Sequence, residues 1–284
     1  DSGKEFSFLL HSDYNHVKEN GLFIHSDVFG KIECKGNYYN SVQEMPACDI
    51  IIVGLKTIQN HLLKELLPPV LKKDSVIILI QNGLGMEEDL QNELPGVSII
   101  GGVAQILSSK SSPGVITHQQ LGNLALGIYG KKTIPFIDQV VEDFNATGRI
   151  TCTHQKLQEI RWKKLIWNIP FNGLSVVMDT KTDLLVQNKY AEELAREIME
   201  EVVKGANESG CDIPFQAISD QIEITKKMPP YFPSMKLDFD NFRPMEIKYM
   251  YEKPVEIAKK AGFYMSKVDM LAEQLHFAED KRKS

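Results

Sequence analysis

The sequence predicts an α/β domain followed by an all-helical domain. Three short apolar runs in the first half are typical of strands buried on both faces of a parallel sheet. These runs are Phe6 to Leu10, Ile50 to Val53 and Val76 to Ile80. Helical patterns near Gln59 to Leu71 and Met86 to Glu93 give the first half a βαβ rhythm. We therefore expect a doubly wound sheet in residues 1–153 and helices in residues 154–284.

Shorter β-rich segments complete the predicted sheet. Leu22 to His25 and Lys31 to Cys34 flank a turn at Gly30, which predicts a small hairpin. Val115 to Thr117 and Leu124 to Tyr129 are separated by glycine and predict two antiparallel additions.

The second half predicts five long helices, because apolar residues recur there at helical spacing between Gly, Pro and Asp breaks. The segments are Leu157 to Met178, Asn188 to Ser209, Pro214 to Lys227, Met245 to Ala261 and Ser266 to Asp280. Pro170 lies inside the first of them, and we expect a kink there because proline cannot donate to the carbonyl of Ile166.

The start of the sheet lacks an expected feature. A dinucleotide-binding sheet begins with a strand and a glycine-rich turn that brings a helix N-terminus to the pyrophosphate. This sequence goes from Asp1 directly to the run Phe6 to Leu10, which resembles a second strand. We expect about twenty preceding residues to be absent, on the usual strand-turn-helix length. The alternative is a different α/β fold that starts here.

Composition narrows the class of partner. The chain has 284 residues, with 32 Lys+Arg against 38 Asp+Glu and a net charge of −6, which gives no support for nucleic acid or an anionic membrane as partner. Four dispersed cysteines without a CxxC pair argue against a zinc knuckle or a disulfide scaffold and favour a reducing, cytoplasmic setting. The histidines show no metal-ligand spacing, so no metal site is predicted. No apolar run reaches the length of a bilayer span.

Two loops follow predicted parallel strands, at the sheet edge where open α/β folds bind ligands. Gln81-Asn82-Gly83-Leu84-Gly85 follows the third run, and its glycines allow close approach of a ligand to the backbone, although Asn-Gly is also an ordinary turn. Lys56, just past the second run, suits a phosphate or carboxylate, and Gln59 can point the same way. A solvated loop lysine is the alternative.

A polar stripe on the first long helix is the most informative pattern. Lys164, Asn168 and Asn172 are spaced i, i+4, i+8 and span about 80° of the helix circumference. Their neighbours are apolar, so the helix is expected to be buried and the stripe to meet a ligand or another helix. A buried lysine can have its pKa lowered enough to act as a proton donor. A satisfied polar seam between helices is an equal alternative.

Ser234 and Glu246 lie further along the second half. Glu246 follows Pro244 in the predicted first turn of a helix, where the dipole favours a carboxylate. Ser234 and Asp238 can equally be cap or turn residues.

Taken in order, these motifs resemble the ketopantoate reductase (2-dehydropantoate 2-reductase) family, over nearly the whole chain. The shared motifs are Gln81 to Gly85, Lys56 with Gln59, the helix W-x-K-L-x-x-N from Trp162 to Asn168 with Asn172, S-M-x-x-D from Ser234 to Asp238, and Glu246. The resemblance implies a Rossmann-like sheet with a helical C-terminal domain, and NADPH-dependent reduction of 2-dehydropantoate to pantoate in pantothenate synthesis. It also makes a homodimer plausible.

The resemblance implies roles for ten residues. Lys164 matches the general acid, and Glu246 the glutamate that holds the substrate hydroxyl and supports the lysine. Residues matching the substrate contacts are Asn82, Asn168, Asn172 and Ser234. Residues matching the cofactor contacts are Leu55, Lys56, Gln59 and again Asn82. His11 stands where the family commonly has an arginine for the 2′-phosphate of NADP.

Several departures leave alternatives open. The glycine-rich phosphate turn is absent from the sequence, so this piece is expected to bind cofactor poorly or not at all. His11, followed by Ser12 and Asp13, leaves the preference between NADP and NAD open, and either of the latter two can be a helix cap. The segment after Glu246 and the position of Pro170 also differ from the family pattern. A reductase of another 2-oxo acid and a non-catalytic binding protein are the alternatives.

Overall fold

A computed structural model describes residues 4–130 and 133–283. Its contacts divide the chain into two compact units. The second unit, here called the helical unit, comprises Leu55–Asn60, Asn82–Asp89 and the chain from Leu157 onward. The first unit, here called the sheet unit, comprises the remainder. Two short segments of the N-terminal half thus belong, by their contacts, to the helical unit.

Nine strands are assigned in the described residues of the sheet unit. They are β1 (Ser7–Leu9), β2 (Phe23–Ser26), β3 (Gly30–Glu33), β4 (Asn37–Tyr39), β5 (Cys48–Val53), β6 (Leu71–Ile80), β7 (Ser98–Ser112), β8 (Val115–Ile128) and β9 (Thr151–His154). The main sheet has the order β3-β2-β8-β7-β6-β5, with β9 parallel to β8. Strands β5, β6 and β7 are mutually parallel, and β1 and β4 form a separate parallel pair.

The predicted α/β sheet is confirmed, and one prediction about its strands is corrected. The hairpin around Gly30 forms as β2 and β3. The two antiparallel additions predicted after Gly114 are one strand, β8, which pairs along β7. The register shifts near Gly122, next to Leu121 at φ +68°. Gly122, which the sequence suggested as a break, lies in a β-bulge, and the strand continues beyond it.

Two of the strands formed by predicted apolar runs have a single neighbour among the described residues. β1 pairs only with β4, and β5 pairs only with β6. The apolar runs predicted that both strands are buried on both faces, and β5 departs from that prediction because only one of its edges is covered in the described part of the chain. Ile50 and Ile52 on β5 are correspondingly 37% and 47% exposed.

Eleven α-helices are assigned in the described residues. They are α1 (Tyr14–Asn20), α2 (Leu63–Leu66), α3 (Met86–Glu93), α4 (Ile137–Asn145), α5 (Leu157–Val177), α6 (Thr182–Gln187), α7 (Lys189–Glu208), α8 (Gln216–Lys227), α9 (Ser234–Asp240), α10 (Lys253–Lys260) and α11 (Ser266–Lys281). A π-helical segment, Lys248–Glu252, leads into α10, and 3₁₀ turns cover Val42–Glu44, Thr57–Leu62 and Pro68–Val70.

The helical unit is organised around α5 and α7. Helix α5 packs against α7, α9 and α11, and fourteen of its residues are buried. Asn188 caps α7 by accepting from the backbone N–H groups of Tyr190 and Ala191. The buried carboxylate of Glu201 accepts the backbone N–H groups of Lys267 and Val268 and so caps α11.

The five predicted long helices form, and α6 and α9 are additional. Both are short segments of six and seven residues, too brief to show a helical period. Helix α5 continues through Pro170, as the predicted segment does, and the kink expected there stays a prediction. A second difference concerns Glu246, which lies immediately before the helical turn that begins at Ile247 rather than inside it.

Candidate active site in the helical unit

The polar stripe of α5 begins with Lys164, which is partly buried within a largely buried helix. Burial lowers the pKa of the Lys164 ammonium group. Within the described part of the chain, its Nζ makes no hydrogen bond and no ion pair. The helix thus holds a cation away from water without supplying an internal counter-charge, and an incoming electronegative atom would find a free donor there.

The two asparagines of the stripe differ. Both are buried, at 4% exposure for Asn168 and 2% for Asn172. Asn172 donates from Nδ2 to the carbonyl of Asn168 at 3.0 Å and accepts the backbone N–H of Met235 on Oδ1 at 3.1 Å. Asn172 therefore holds the first turn of α9, which carries Ser234. The side-chain amide of Asn168 bonds to no other residue in the described ranges and is available to a ligand.

Glu246 is buried at 8% exposure and is held by a residue that precedes it by 189 positions. The backbone N–H of Thr57 donates to Glu246 Oε1 at 2.8 Å, and the Thr57 hydroxyl donates to the same oxygen at 2.7 Å. Thr57 is itself 3% exposed. The segment after β5 thereby fixes one oxygen of the carboxylate.

Lys56, the neighbour of Thr57, pairs with Asp238 of α9. Asp238 is 1% exposed and also accepts from Arg243 Nε at 2.8 Å. Because a buried carboxylate needs compensation, two cations around Asp238 are physically reasonable. The Lys56 ammonium is therefore already engaged, although its side chain is 44% exposed.

The loop that carries Asn82 is attached to the π-helical segment. The backbone N–H of Leu84 donates to the carbonyl of Tyr249 at 2.8 Å. Gly83 has φ +108°, and a Cβ there would lie 2.6 Å from the Tyr249 oxygen. Only glycine fits this approach. Asn82 itself is partly exposed, with no side-chain hydrogen bond found among the described residues.

The Tyr249 carbonyl is free for this bond because of the helix register and a proline. In the π-helical segment the backbone N–H of Lys253 donates to the carbonyl of Lys248, five residues earlier in the chain. The next residue, Pro254, has no N–H to donate to Tyr249 in that register. The Leu84 N–H supplies the missing donor, so the irregular helix positions the Asn82 loop.

Ion pairs hold the start of α3 in the same unit. Asp89 accepts from Lys248 Nζ at 2.9 Å, from Tyr249 Oη at 2.8 Å and from Lys253 Nζ at 3.1 Å. Burial alone would lower the pKa of Lys248, but its bonds to Asp89 and Tyr249 outweigh this and raise the pKa to about 12.

A second pair ties α3 to α5. Arg161 is 1% exposed and Glu87 is 3% exposed. Arg161 donates to Glu87 Oε1 from Nη2 at 2.5 Å and from Nε at 3.0 Å. Arg161 lies one turn before Lys164, so the pair connects the helix after the Asn82 loop with the helix of the polar stripe.

The sequence-predicted site residues thus fall into two groups. Nine belong to the helical unit by contacts: Leu55, Lys56, Gln59, Asn82, Lys164, Asn168, Asn172, Ser234 and Glu246. The hydrogen bonds described above link the segments that carry them. Leu55, Lys56, Gln59 and Ser234 are exposed. His11 is exposed and lies in the sheet unit, in the turn after β1.

The turn after β1 is shaped by an ion pair. Asp13 accepts from Lys110 Nζ at 2.5 Å, from Ser12 Oγ at 3.2 Å and from the Gly114 N–H at 3.3 Å. The Lys110 hydrogen bond is the main cause of a lowered pKa at Asp13. Asp13 precedes α1 but makes no side-chain capping bond, so the helix-cap alternative does not account for its carboxylate.

Sequence reasoning missed Thr57, Tyr249 and Pro254. Thr57 stands beside a residue that was singled out, yet one threonine in a loop gives no periodic signal. Pro254, nine residues after the start of the helix predicted from Met245 to Ala261, is the one local signal of an irregularity there. Neither the π register nor the carbonyl that it frees can be read from residue types.

In the described ranges no cluster of three His, Cys, Asp or Glu side chains suits a metal, and no helix has the length and apolar character to cross a bilayer.

Comparisons with known proteins agree on one family. Residues 1–131 match the family described as "Ketopantoate reductase PanE/ApbA", and residues 156–279 match its C-terminal family. A 2-dehydropantoate 2-reductase of Nostoc sp. is 39% identical over 288 residues, which cover 100% of this chain and 90% of that protein. The solved 2-dehydropantoate 2-reductase of Geobacter metallireducens is 34% identical with a TM-score of 0.92, covering 98% of this chain and 93% of that one.

The fold also occurs with another activity. A D-mandelate dehydrogenase solved with NADH and anilino(oxo)acetate has a TM-score of 0.89 at 21% identity, covering 100% of this chain and 93% of that one. At this identity the match shows the fold alone.

Proposed function

Since this chain belongs to the ketopantoate reductase family, we propose that it reduces 2-dehydropantoate to pantoate with NADPH, in the synthesis of pantothenate and coenzyme A. The proposal rests above all on Lys164, a partly buried cation without a counter-charge among the described residues. A desolvated charge costs stability, which argues against a group of this kind that has no role. A reductase needs one to protonate the oxygen of the substrate carbonyl.

The proposed reaction balances with Lys164 as the acid. When bound, a nicotinamide cofactor would supply a hydride for C2 of the substrate. As the C2–O double bond becomes single, the developing alkoxide takes a proton from Lys164 Nζ, which is left as a neutral amine. The lowered pKa of Lys164 favours this transfer, because proton donation is most effective when the pKa of the acid lies near the working pH. The ammonium also stabilises the negative charge before transfer.

The other stripe and loop residues would orient the substrate. Glu246 Oε2 has no bond within the described residues and would accept the substrate hydroxyl. The amides of Asn82 and Asn168 are available to the 2-oxo acid, and the exposed hydroxyl of Ser234 stands at the start of α9. Both Nδ2 and Oδ1 of Asn172 are hydrogen-bonded within the protein. Asn172 would therefore act by holding the start of α9 rather than by contacting substrate.

The residues available for a nicotinamide dinucleotide fit it in part. Leu55 and Gln59 are exposed just beyond β5, where they offer an apolar surface and an amide donor. A Cβ at Gly54 would meet nothing within 4 Å, so a ligand has room there. Lys56 would contact a phosphate only by sharing its ammonium with Asp238.

The turn after β1 favours NADPH over NADH. An acidic residue after this strand usually binds the ribose 2′-hydroxyl of NAD and repels a 2′-phosphate. Here Lys110 occupies and neutralises Asp13, while His11 remains exposed. We expect Lys110→Met to release the carboxylate and to lower the NADPH-to-NADH preference about tenfold, the size of one charge contact. Initial rates with each cofactor measure this.

A steady-state assay on the full-length protein tests the proposal. NADPH oxidation is followed with 2-dehydropantoate and with 2-oxo acids that lack its hydroxyl. Faster turnover of 2-dehydropantoate supports the assignment, and a preference for another 2-oxo acid would replace the substrate while keeping the reductase. An absence of turnover with all of them, together with no NADPH or NADH binding by fluorescence, would refute an oxidoreductase. The homodimer and the cytoplasmic location remain predictions.

A further inference from the structure

Thr57 makes two hydrogen bonds to Glu246. Both of its donors, the backbone N–H and the side-chain hydroxyl, end on one oxygen, Oε1. Thr57 and Glu246 are buried, so water does not compete for these bonds. The other oxygen, Oε2, has no hydrogen bond within the described residues. The contact is therefore asymmetric and leaves one oxygen for a ligand.

This asymmetry fixes the orientation of the carboxylate. The terminal torsion of a glutamate is broad, so a carboxylate with one weak partner rotates readily. Two donors on Oε1 resist that rotation. Threonine is well suited to this task because its branched Cβ restricts χ1 and so fixes the direction of its hydroxyl.

The segment that carries Thr57 is anchored independently of the hydroxyl. Lys56 pairs with the buried Asp238, and the N–H of Gln59 donates to the Lys56 carbonyl at 2.9 Å. Loss of the Thr57 hydroxyl therefore leaves the segment in place and removes only one of the two bonds to Glu246. This separation makes the role of the hydroxyl measurable.

We propose that Thr57 is a positioning residue that orients Glu246 so that Oε2 accepts the substrate hydroxyl. This inference rests on the proposed function, in which Glu246 binds that hydroxyl. In this proposal Thr57 acts through Glu246, and its effect is expected only on substrates that carry a hydroxyl for Glu246 to bind.

The test compares two substrates in Thr57→Val, which keeps the shape and the backbone N–H but lacks the hydroxyl. With 2-dehydropantoate we expect kcat/KM to fall about tenfold, the size of one hydrogen bond to a charged group, mostly through KM. With 3,3-dimethyl-2-oxobutanoate, the same acid without the hydroxyl, we expect no change. Thr57→Ser should restore the rate with 2-dehydropantoate. Thr57→Ala provides a second hydroxyl-free variant if the valine variant does not fold.

Thr182 provides a matched control. It is 1% exposed, and its N–H and hydroxyl both donate to one oxygen, the carbonyl of Tyr231, at 3.0 Å and 3.2 Å. Thr182→Val removes the same type of bond in the same unit without touching Glu246. We expect Thr182→Val to lose about as much thermal stability as Thr57→Val. The ratio of the kcat/KM values for the two substrates should stay as in wild type.

Glu246→Gln separates the two proposals. If that variant keeps full activity on both substrates, the proposed role of Glu246 fails. If it loses 2-dehydropantoate activity while Thr57→Val behaves as wild type, the role of Thr57 is overturned and the proposed function stands. An equal loss of kcat/KM on both substrates in Thr57→Val would show a merely structural role and would also overturn the inference.

Discussion

Two lysines of the helical unit lie in contrasting surroundings. Lys236 on α9 is 2% exposed and pairs with Asp179 at 2.7 Å and with Asp240. Burial alone would lower the pKa of Lys236, but these two carboxylates raise it. Lys164 on α5 has no such partner in the described part of the chain, and burial lowers its pKa. The same residue type is compensated at one position and left uncompensated at the other.

The difference separates a structural group from a reactive one. A compensated charge stabilises the fold and has no free donor to offer. An uncompensated charge destabilises the fold, and its retention needs another reason. Proton donation to a substrate is such a reason. The comparison therefore predicts opposite effects on activity and stability when each lysine is removed.

The largest expected effect is the loss of activity in Lys164→Met. Without the acid, kcat with 2-dehydropantoate should fall about 10²–10⁴-fold, the usual contribution of general acid catalysis. Lys163→Met is the matched control, since Lys163 is the adjacent residue and its side chain is 47% exposed. We expect that control to keep wild-type kcat. Similar losses in both variants would remove the distinction between Lys164 and an ordinary helix lysine.

Removal of Lys236 should act on stability instead. Lys236→Met leaves Asp179 and Asp240 without their buried partner, and we expect a loss of about 1–2 kcal/mol in the free energy of unfolding, because both carboxylates retain access to water. Chemical denaturation measures it. Wild-type kcat in the folded variant is expected, and a loss of activity as large as that of Lys164→Met would break the comparison.

The comparison extends to the loop before α3. Gly83→Ala places a Cβ 2.6 Å from the Tyr249 carbonyl at φ +108°, and we expect a loss of about 2–4 kcal/mol in unfolding free energy together with a raised KM. Gly96 also has a positive φ, +92°, but a Cβ there would meet nothing within 4 Å. For Gly96→Ala we therefore expect a loss of about 1 kcal/mol in unfolding free energy and an unchanged KM. Equal effects would show that backbone strain alone, and not the contact with Tyr249, accounts for Gly83.

The two asparagines of α5 differ in the same respect, since one has internal hydrogen bonds and the other has none among the described residues. Asn172→Ala breaks bonds to Asn168 and Met235 and should cost about 1–2 kcal/mol of stability. Asn168→Ala removes a side chain with no internal bond among the described residues, so we expect a raised KM at nearly unchanged stability. Thermal unfolding and initial rates separate the two outcomes. A stability loss at Asn168 equal to that at Asn172 would contradict the assignment.

Sequence patterns predicted the regular parts of this molecule well. The apolar runs that form β5 and β6 and the long helix α5 have periods and lengths that local sequence determines. The stripe of Lys164, Asn168 and Asn172 was predicted from helix geometry alone, because side chains four residues apart share a face.

The remaining features depend on contacts between distant residues. Thr57 meets Glu246 across 189 positions, and no local pattern encodes that pairing. The π register before Pro254 likewise depends on the donor that Leu84 supplies. Spacing also could not tell Asn168 from Asn172, since their difference lies in what α9 brings to one of them.

The smallest expected effect concerns how the stability difference between wild type and Lys164→Met depends on pH. The folded-state pKa of Lys164 is lowered below its ordinary value of 10.5, so between these two values the unfolded chain binds more protons and wild-type stability rises with pH. At neutral pH we expect the methionine variant to be more stable, on the order of 1 kcal/mol, the usual size for one substitution.

That advantage should shrink as the pH approaches 10.5, where Lys164 is neutral in the folded wild-type protein. Urea denaturation of both proteins at several pH values measures it. Lys236→Met provides the opposite sign: the raised pKa of Lys236 means that its stabilisation is complete below 10.5 and is lost only as the pH rises through the folded-state value. A gap between wild type and Lys164→Met that stays constant over this range would mean that Lys164 is compensated after all, as Lys236 is.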